Sequence, residues 1–536
     1  LESLARRDRN HPCVILWSLA NEEGLQGTVT GARMARTMKR LIRRLDPTRP
    51  VTMAMNGSWG QGLSEVVDVQ GCNYIHCGDV DDFHRRFPKQ PVVYSESCST
   101  VGTRGIYAND KAKGYVGAYD NNTPGWGDTA EANWLHCLER PFVSGTFVWT
   151  GFDYRGEPTP YGWPCINSHF GIMDMCGFPK DNFFYYQAWW SDRTALHVLP
   201  HWTWPGREGR PVDVWVHSNC EAVELFLNGR SLGRKPVKTA RHLEWKVRYA
   251  PGVLMAKGWK NGKPAATARV ETTGAPAGIR LIPDRTALGA DGADTVVVNA
   301  AVVDAKGRVV PVAENELAFA VGENARILGV GNGDPSSHEP DMASRRRAFN
   351  GWCQVIVQTT GKAGRIRIAA ESPGLVPAEV IVKAEAVVPR PSVAAVLSRQ
   401  LRHFEGSGLQ KAVANISKAP PPRPGTGFAR VSEVSEQGLC DVRALHGGRH
   451  GLIYIRTEFK AEKAGRGALL YGADGPVRVW VNGKAADCRP AATNPTVEGQ
   501  YRAPVVLRQG RNPIVFALLT NRGKAWGVFA RIVTEP

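Results

Sequence analysis

No stretch of this 536-residue chain stays apolar for the roughly 18 to 20 residues needed to cross a bilayer. Its first ten residues, LESLARRDRN, hold neither an initiator Met nor the apolar core of a signal peptide. The sequence therefore predicts no membrane partner. Its eleven cysteines are scattered, and the nearest pair, Cys72 and Cys77, has neither zinc-ribbon nor redox CxxC spacing. They are expected to be mostly core thiols. A formal charge of +17 would suit an anionic partner, but no aromatic-interleaved RNA motif or basic zipper accompanies it. In the densest basic cluster, ARMARTMKRLIRRLDPTRP, residues Val29, Ala32, Ala35, Met38, Leu41, Ile42 and Leu45 fall on one helical stripe, with Arg and Lys on the other side. That pattern describes a surface helix with a solvated basic face, ended before Pro47, and no nucleic-acid partner is expected.

The chain does have apolar content of 43%, with 57 Gly, 36 Pro and 16 Trp. At this length it should fold as three or four cored domains, since single cores rarely grow past about 250 to 300 residues. Up to residue 190, apolar strands alternate with helical stretches: VILWSLANE, RPVTMAMN, VDVQGCNY, PVVYSES and SGTFVWTGFDY. Apolar strands separated by helices imply a parallel sheet covered on both faces. The polar or aromatic residues that close each strand, Glu22, Asn56, Tyr74, Glu96 and Asp153, suit the C-terminal mouth of a (β/α)8 TIM barrel. A closed barrel needs eight strands and only five are legible, so the other three are expected to precede Leu1, and residues 1–190 read as the C-terminal part of the barrel.

After Trp190 the pattern becomes all-β. Residues 191–275 and 276–386 read as two immunoglobulin-like sandwiches, the first with an Asn228-Gly229 hairpin turn. Residues 387–427, rich in Pro and Gly, read as a linker with one short helix, VAAVLSRQLRHF. From 428 to 536 a jelly-roll-like β domain is expected, with a second hairpin at Asn482-Gly483 and carbohydrate as a candidate ligand. The fold class is thus α/β plus all-β.

The residues that could carry chemistry are carboxylates at strand ends. Glycoside hydrolysis needs one carboxyl protonated and one ionised, and Glu22 and Glu96 each close an apolar strand. Period 2 along PVVYSES puts Val92, Tyr94 and Glu96 on one side. Asn21 and Glu22 are adjacent, so both reach one cavity only if the chain already turns there. On these residues alone, a strand-end carboxylate is more often a cap or an ion-pair partner.

The segment RRDRNHPCVILWSLANEEG resembles the signature of glycoside hydrolase family 2, which comprises β-galactosidases, β-glucuronidases and β-mannosidases. YSESCSTVGTRG resembles that family's nucleophile strand, and GTFVWTGFDYRGEPTPYGWP with INSHFGIMDMCGFPKDNFFYYQAWW resembles its last barrel strand and closing segment. The resemblance implies Glu22 as general acid/base, Asn21 beside it on the sugar 2-hydroxyl, Glu96 as nucleophile, Tyr74 as the phenol touching it, and Trp149 as the floor of the sugar site. The alternative for Tyr74 and Trp149 is a role as core aromatics, and for Asn21 a turn cap; Glu23 reads as solvated.

The resemblance further implies a retaining, exo-acting enzyme cleaving terminal β-D-galactosides of oligosaccharides or polysaccharides, in a periplasmic or secreted setting. Ser97 departs from the Glu-Tyr found after the nucleophile in several relatives, which loosens the sugar assignment. The Asn-x-Lys pair of the family's glucuronidases is replaced here by Asn167-Ser168-His169, favouring a neutral sugar; a galacturonide, an arabinoside or a glucuronide stays as the alternative. No cofactor is expected within the chain, and the ligands of any divalent metal should precede Leu1. A homo-oligomer or a complementary N-terminal fragment is the expected protein partner, and a non-catalytic carbohydrate-binding remnant is the rival from another class.

Overall fold

The structure, a computed structural model, describes residues 1–388, 398–491 and 494–534. Its contacts divide the chain into two compact units, Leu1–Val388 and Pro389–Pro536.

The first unit begins with helix α1 (Glu2–Asp8) and five parallel strands, β1 (Trp17–Asn21), β2 (Val51–Met55), β3 (Val69–Asn73), β4 (Val92–Cys98) and β5 (Val143–Trp149), hydrogen-bonded in sequence order. Helices α2 (Val29–Leu45), α3 (Val80–Arg86), α4 (Ala130–Leu138) and α5 (Asp181–Trp190) complete this part. The strands end within a few residues of the positions read from the sequence. Strand faces turned toward the helices supply the core: Trp17, Leu19, Met53, Cys72 and Tyr94 pack with Ala32, Ala35, Ile42 and Phe83. Thr28 caps α2, its Oγ1 accepting from the Gly31 amide at 3.0 Å. The apolar stripe holds except at its start, where Val29, in the unpaired first turn of the helix, is 77% exposed. The opposite face is ion-paired, Lys39 and Arg43 both reaching Asp68.

Two sandwiches follow in the same unit. Three strands between Leu196 and Arg248 form one sheet and four between Ala222 and Glu271 the other, over a core that includes Trp202, Val214, Leu225 and Trp245. The next sandwich pairs a four-stranded with a five-stranded sheet between Pro276 and Glu385. Asn228 and Gly229 both adopt left-handed φ, 50° and 82°, as a type I′ hairpin turn requires.

Buried polar side chains tie the second sandwich to the barrel strands. Arg104, in the loop after β4, pairs with Asp174 at 2.6 Å and donates to the carbonyls of Asn332 and Phe349. Asp174 in turn accepts from the amides of Cys176 and Phe178. Removing one member of a buried, fully bonded pair strands the other's charge, which costs about 3 to 5 kcal/mol. Arg104→Met should therefore lower the denaturant midpoint substantially, as followed by tryptophan fluorescence; an unchanged midpoint would show that the junction carries no stability.

The second unit is also a two-sheet sandwich. One sheet contains Gly465–Ala473, Tyr501–Leu507 and Gly527–Thr534, the other Leu452–Ala461, Val477–Val481 and Gly510–Leu519. Their inner faces share a core that includes Ile455, Leu469, Tyr471, Phe516 and Ile532. The segment 387–427 differs from the expectation of a linker with a helix. Residues 389–397, which include the first part of the expected helix, lie outside the described residues. Its later part contains a strand, Ser398–Gln400, that pairs with Gly527–Thr534. Glu405–Ser407 likewise pairs with Leu452–Ala461. Unpaired sheet edges in the sandwich recruit this Pro-rich chain as strand, overriding the local helical pattern.

Candidate active site

The candidate side chains gather at the C-terminal ends of β1, β3 and β4, where the backbone leaves regular strand geometry. Glu22 adopts φ 50°, Tyr74 φ 58°, and Cys98 and Ser99 φ 69° and 55°. Left-handed non-glycine residues are costly and concentrate at functional sites. Here they let neighbouring residues reach the same cavity: the Glu22 amide still bonds the Ala54 carbonyl while the chain turns, so that Asn21 and Glu22 both face inward.

Asn73 joins the group. Its Nδ2 donates to Glu22 Oε1 at 2.8 Å, Asn21 Oδ1 at 3.1 Å and Glu96 Oε2 at 3.3 Å, while its Oδ1 accepts from Ser95 Oγ at 2.8 Å. The two carboxylate oxygens held by one nitrogen thus lie no more than about 6 Å apart, which is compatible with the roughly 5 to 5.5 Å of retaining glycosidases and short of the roughly 6.5 to 9.5 Å of inverting ones. The Tyr74 hydroxyl donates to Glu96 Oε1 at 2.5 Å and lies 2.9 Å from Ser99 Oγ; with its proton directed at Glu96, it accepts from the serine. Burial pushes the Glu96 carboxyl above the usual range and the charge of Glu22 adds to this, whereas the Tyr74 hydrogen bond opposes it. Burial and the facing carboxylates raise the Tyr74 phenol, which stays a neutral donor.

Of the residues singled out in the sequence, Asn21, Glu22, Tyr74 and Glu96 meet in this network, and Glu23 is exposed. Trp149 stands one strand further on, at the end of β5 opposite Cys98. Its ring meets Tyr154 edge-on at 5.8 Å, and the Tyr154 hydroxyl donates to Glu157 at 2.5 Å. The period-2 reading of β4 needs correction. The Tyr94 hydroxyl lies 2.8 Å from His136 on α4, in the helix layer, while Glu96 faces the mouth. Pairing slips between Cys72 and Asn73 and between Tyr94 and Ser97, and these irregularities reset the alternation. Sequence reading missed Asn73, Ser99, Tyr154 and Glu157. The signal for Asn73 was its place directly before Tyr74 at a strand end.

Asn167, Ser168 and His169 are buried, at 2%, 0% and 0% exposure. His169 lies between Thr103 Oγ1 and Cys165 Sγ, and burial lowers its pKa to about 3, so it is neutral. Arg155 donates to Asn167 Oδ1 and pairs with Asp341 of the second sandwich at 2.5 Å. Among the described residues, no three His, Cys, Asp or Glu side chains converge as a metal-binding group.

A TIM-barrel-type parallel sheet with two close carboxylates at its mouth, followed by β-sandwiches, presents the paired-carboxylate arrangement that glycoside hydrolysis uses. Comparison with known proteins narrows it. The TIM-barrel domain of glycosyl hydrolases family 2 matches residues 1–192, and C-terminal domain 5 of glycoside hydrolase family 2 matches 279–381. A domain of unknown function, DUF4982, matches 209–266. The chain belongs to glycoside hydrolase family 2. It is 37% identical over 441 residues to the β-galactosidase BoGH2A of Bacteroides ovatus, covering 72% of this chain and 51% of that protein. A β-glycosidase crystal structure from Bacteroides vulgatus superposes with a TM-score of 0.63 at 32% identity, over 71% of this chain and 52% of that one. A β-glucuronidase of Formosa agariphila is 24% identical over 392 residues, 70% of this chain and 38% of that protein. The chain thus spans about half the length of the first two.

Proposed function

We propose that the protein is a retaining, exo-acting glycosidase that removes terminal β-D-galactosyl residues, with Glu96 as nucleophile and Glu22 as general acid/base. The observation that carries this reading is the short Asn73 bridge between the two carboxylates, and the similarity to a β-galactosidase supports the sugar. Glu96 attacks the anomeric carbon while Glu22 protonates the departing oxygen. Glu22 then takes a proton from water, which attacks the anomeric carbon and frees Glu96. Asn73 and Asn21 present amide groups where the sugar 2-hydroxyl would lie, and Trp149 and Tyr154 supply apolar faces below the ring. A neutral sugar is favoured over a uronide because Asn167-Ser168-His169, which stands in place of the glucuronidases' Asn-x-Lys, holds no Lys and its histidine is neutral.

Two outcomes test this reading on the longest natural form of the protein. An aryl β-galactoside should be cleaved far better than the matching β-glucuronide; the opposite preference would overturn the sugar assignment. Tyr74→Phe should also move the acid limb of kcat/KM. Glu96 acts ionised, and the phenol's hydrogen bond holds its pKa down. Losing that bond raises the pKa, so activity should fall off at a higher pH than in the wild type. A limb that stays in place or moves to lower pH would detach Tyr74 from Glu96.

A further inference from the structure

The two-carboxylate mechanism leaves one buried cation beside the barrel strands without a task. Lys180, the residue that precedes α5, is 5% exposed. Its ammonium has three N–H groups, and they reach acceptors on three different segments: Asp153 Oδ2 at 2.7 Å, the Gly102 carbonyl at 2.7 Å and the His169 carbonyl at 3.1 Å. Gly102 lies on the chain that leaves β4 beyond Glu96, Asp153 follows Trp149 at the end of β5, and His169 belongs to the closing segment. Further bonds tighten the knot. The Gly102 amide donates to the same His169 carbonyl at 3.1 Å, the Gly171 amide to Asp153 Oδ1 at 2.8 Å, and the Thr150 amide to the Phe170 carbonyl at 3.3 Å.

These bonds fix the bed on which Trp149 rests. Trp149 packs against a small buried cluster of Val101, Val116 and Phe170. Val101 adjoins Gly102 and Phe170 adjoins His169, so two of the three residues in that cluster are chain neighbours of groups that Lys180 holds. A cavity of about 20 Å³ lies in the same place, with Trp149, Gly102, Phe170, Lys180 and Asn182 among its walls. That is room for one water molecule. Trp149 is therefore not wedged from every side by close packing, and its position depends on the bonds that hold its neighbours.

We infer that Lys180 is a positioning residue whose ammonium locks the segment leaving the Glu96 strand to the segments around Trp149, and so sets the floor of the sugar site against the nucleophile. This rests on the proposed glycosidase reading and deepens it, by naming what holds two walls of the site in register. A displacement of about 1 Å between sugar and nucleophile costs on the order of a hundredfold in rate. Methionine has a similar length and shape but makes none of the three bonds.

The test compares wild type, Lys180→Met, the double variant Lys180→Met with Asp153→Asn, and Arg104→Met, all in the longest natural form of the protein. Turnover of an aryl β-galactoside is referred to the number of competent sites, counted by mass after trapping with an activated 2-deoxy-2-fluoro-β-galactoside, so that unfolded molecules drop out of the rate. Lys180→Met strands the Asp153 carboxylate and should melt at a lower temperature; the double variant removes that charge and should recover much of the loss. In both, kcat per competent site should stay about 10²-fold below wild type, while KM moves by no more than a few-fold. Arg104→Met, which breaks a different buried ion pair, should also melt lower but keep kcat per competent site within a few-fold of wild type. If the double variant regains wild-type kcat together with its stability, if Arg104→Met loses as much kcat per site, or if no Lys180 variant folds well enough to be trapped, Lys180 serves stability alone and the inference falls. A wild type that neither turns over nor traps aryl β-glycosides would instead fail the glycosidase reading. One that prefers another sugar fails only the galactoside reading, and the same comparison on that sugar still decides the role of Lys180.

Discussion

Glu96→Gln should leave the protein almost without activity on an aryl β-galactoside, with kcat reduced by about 10⁴-fold or more, since removing a nucleophile leaves only binding and the electrostatic setting of the site. The substitution is nearly isosteric. The Gln amide can still meet Tyr74 and Asn73, which now hold Glu96 from two sides, so little rearrangement is expected. Burial already disfavours the charged form of this carboxyl, and a neutral amide should fit without loss of stability. Thermal unfolding of the variant should therefore match the wild type while turnover disappears. Near-normal turnover by a folded Glu96→Gln protein would remove Glu96 from the mechanism.

Glu22→Ala should give a loss that depends on the leaving group. A glycoside with a strongly acidic phenol departs with little need of a proton, so its glycosylation step slows little. An alkyl or sugar leaving group needs the proton and should lose about 10² to 10⁴-fold, the range of general acid catalysis. Deglycosylation also loses its base, so kcat should fall further than kcat/KM for activated substrates and the covalent intermediate should accumulate. Equal losses across all leaving groups would place Glu22 outside the proton-transfer role and leave it as a structural partner of Asn73.

Much of the barrel part was legible because its signals are local. An apolar strand such as VILWSLANE can be recognised from its own residues, and the polar end of such a strand must face the mouth. The two Asn-Gly turns were legible for the same reason, since only residues that tolerate left-handed φ satisfy that hairpin. What escaped depends on geometry between strands. The facing of Glu96 follows from slips in pairing with β3 and β5, which no period within PVVYSES encodes. Asn73 acquires its role only when β1, β3 and β4 are side by side. The strand Ser398–Gln400 escaped because the sheet that recruits it comes from Gly527–Thr534, far along the chain.

The anomeric configuration of the first product tests the account most directly, because it depends on the spacing of Glu22 and Glu96 and on little else. Proton NMR should follow the cleavage of an aryl β-galactoside by the longest natural form of the protein, with spectra taken before mutarotation. The Asn73 bridge predicts that β-galactose appears first and the α-anomer only later. α-Galactose as the first product would mean direct attack by water across a wider gap, and would contradict the assignment of Glu96 as a nucleophile.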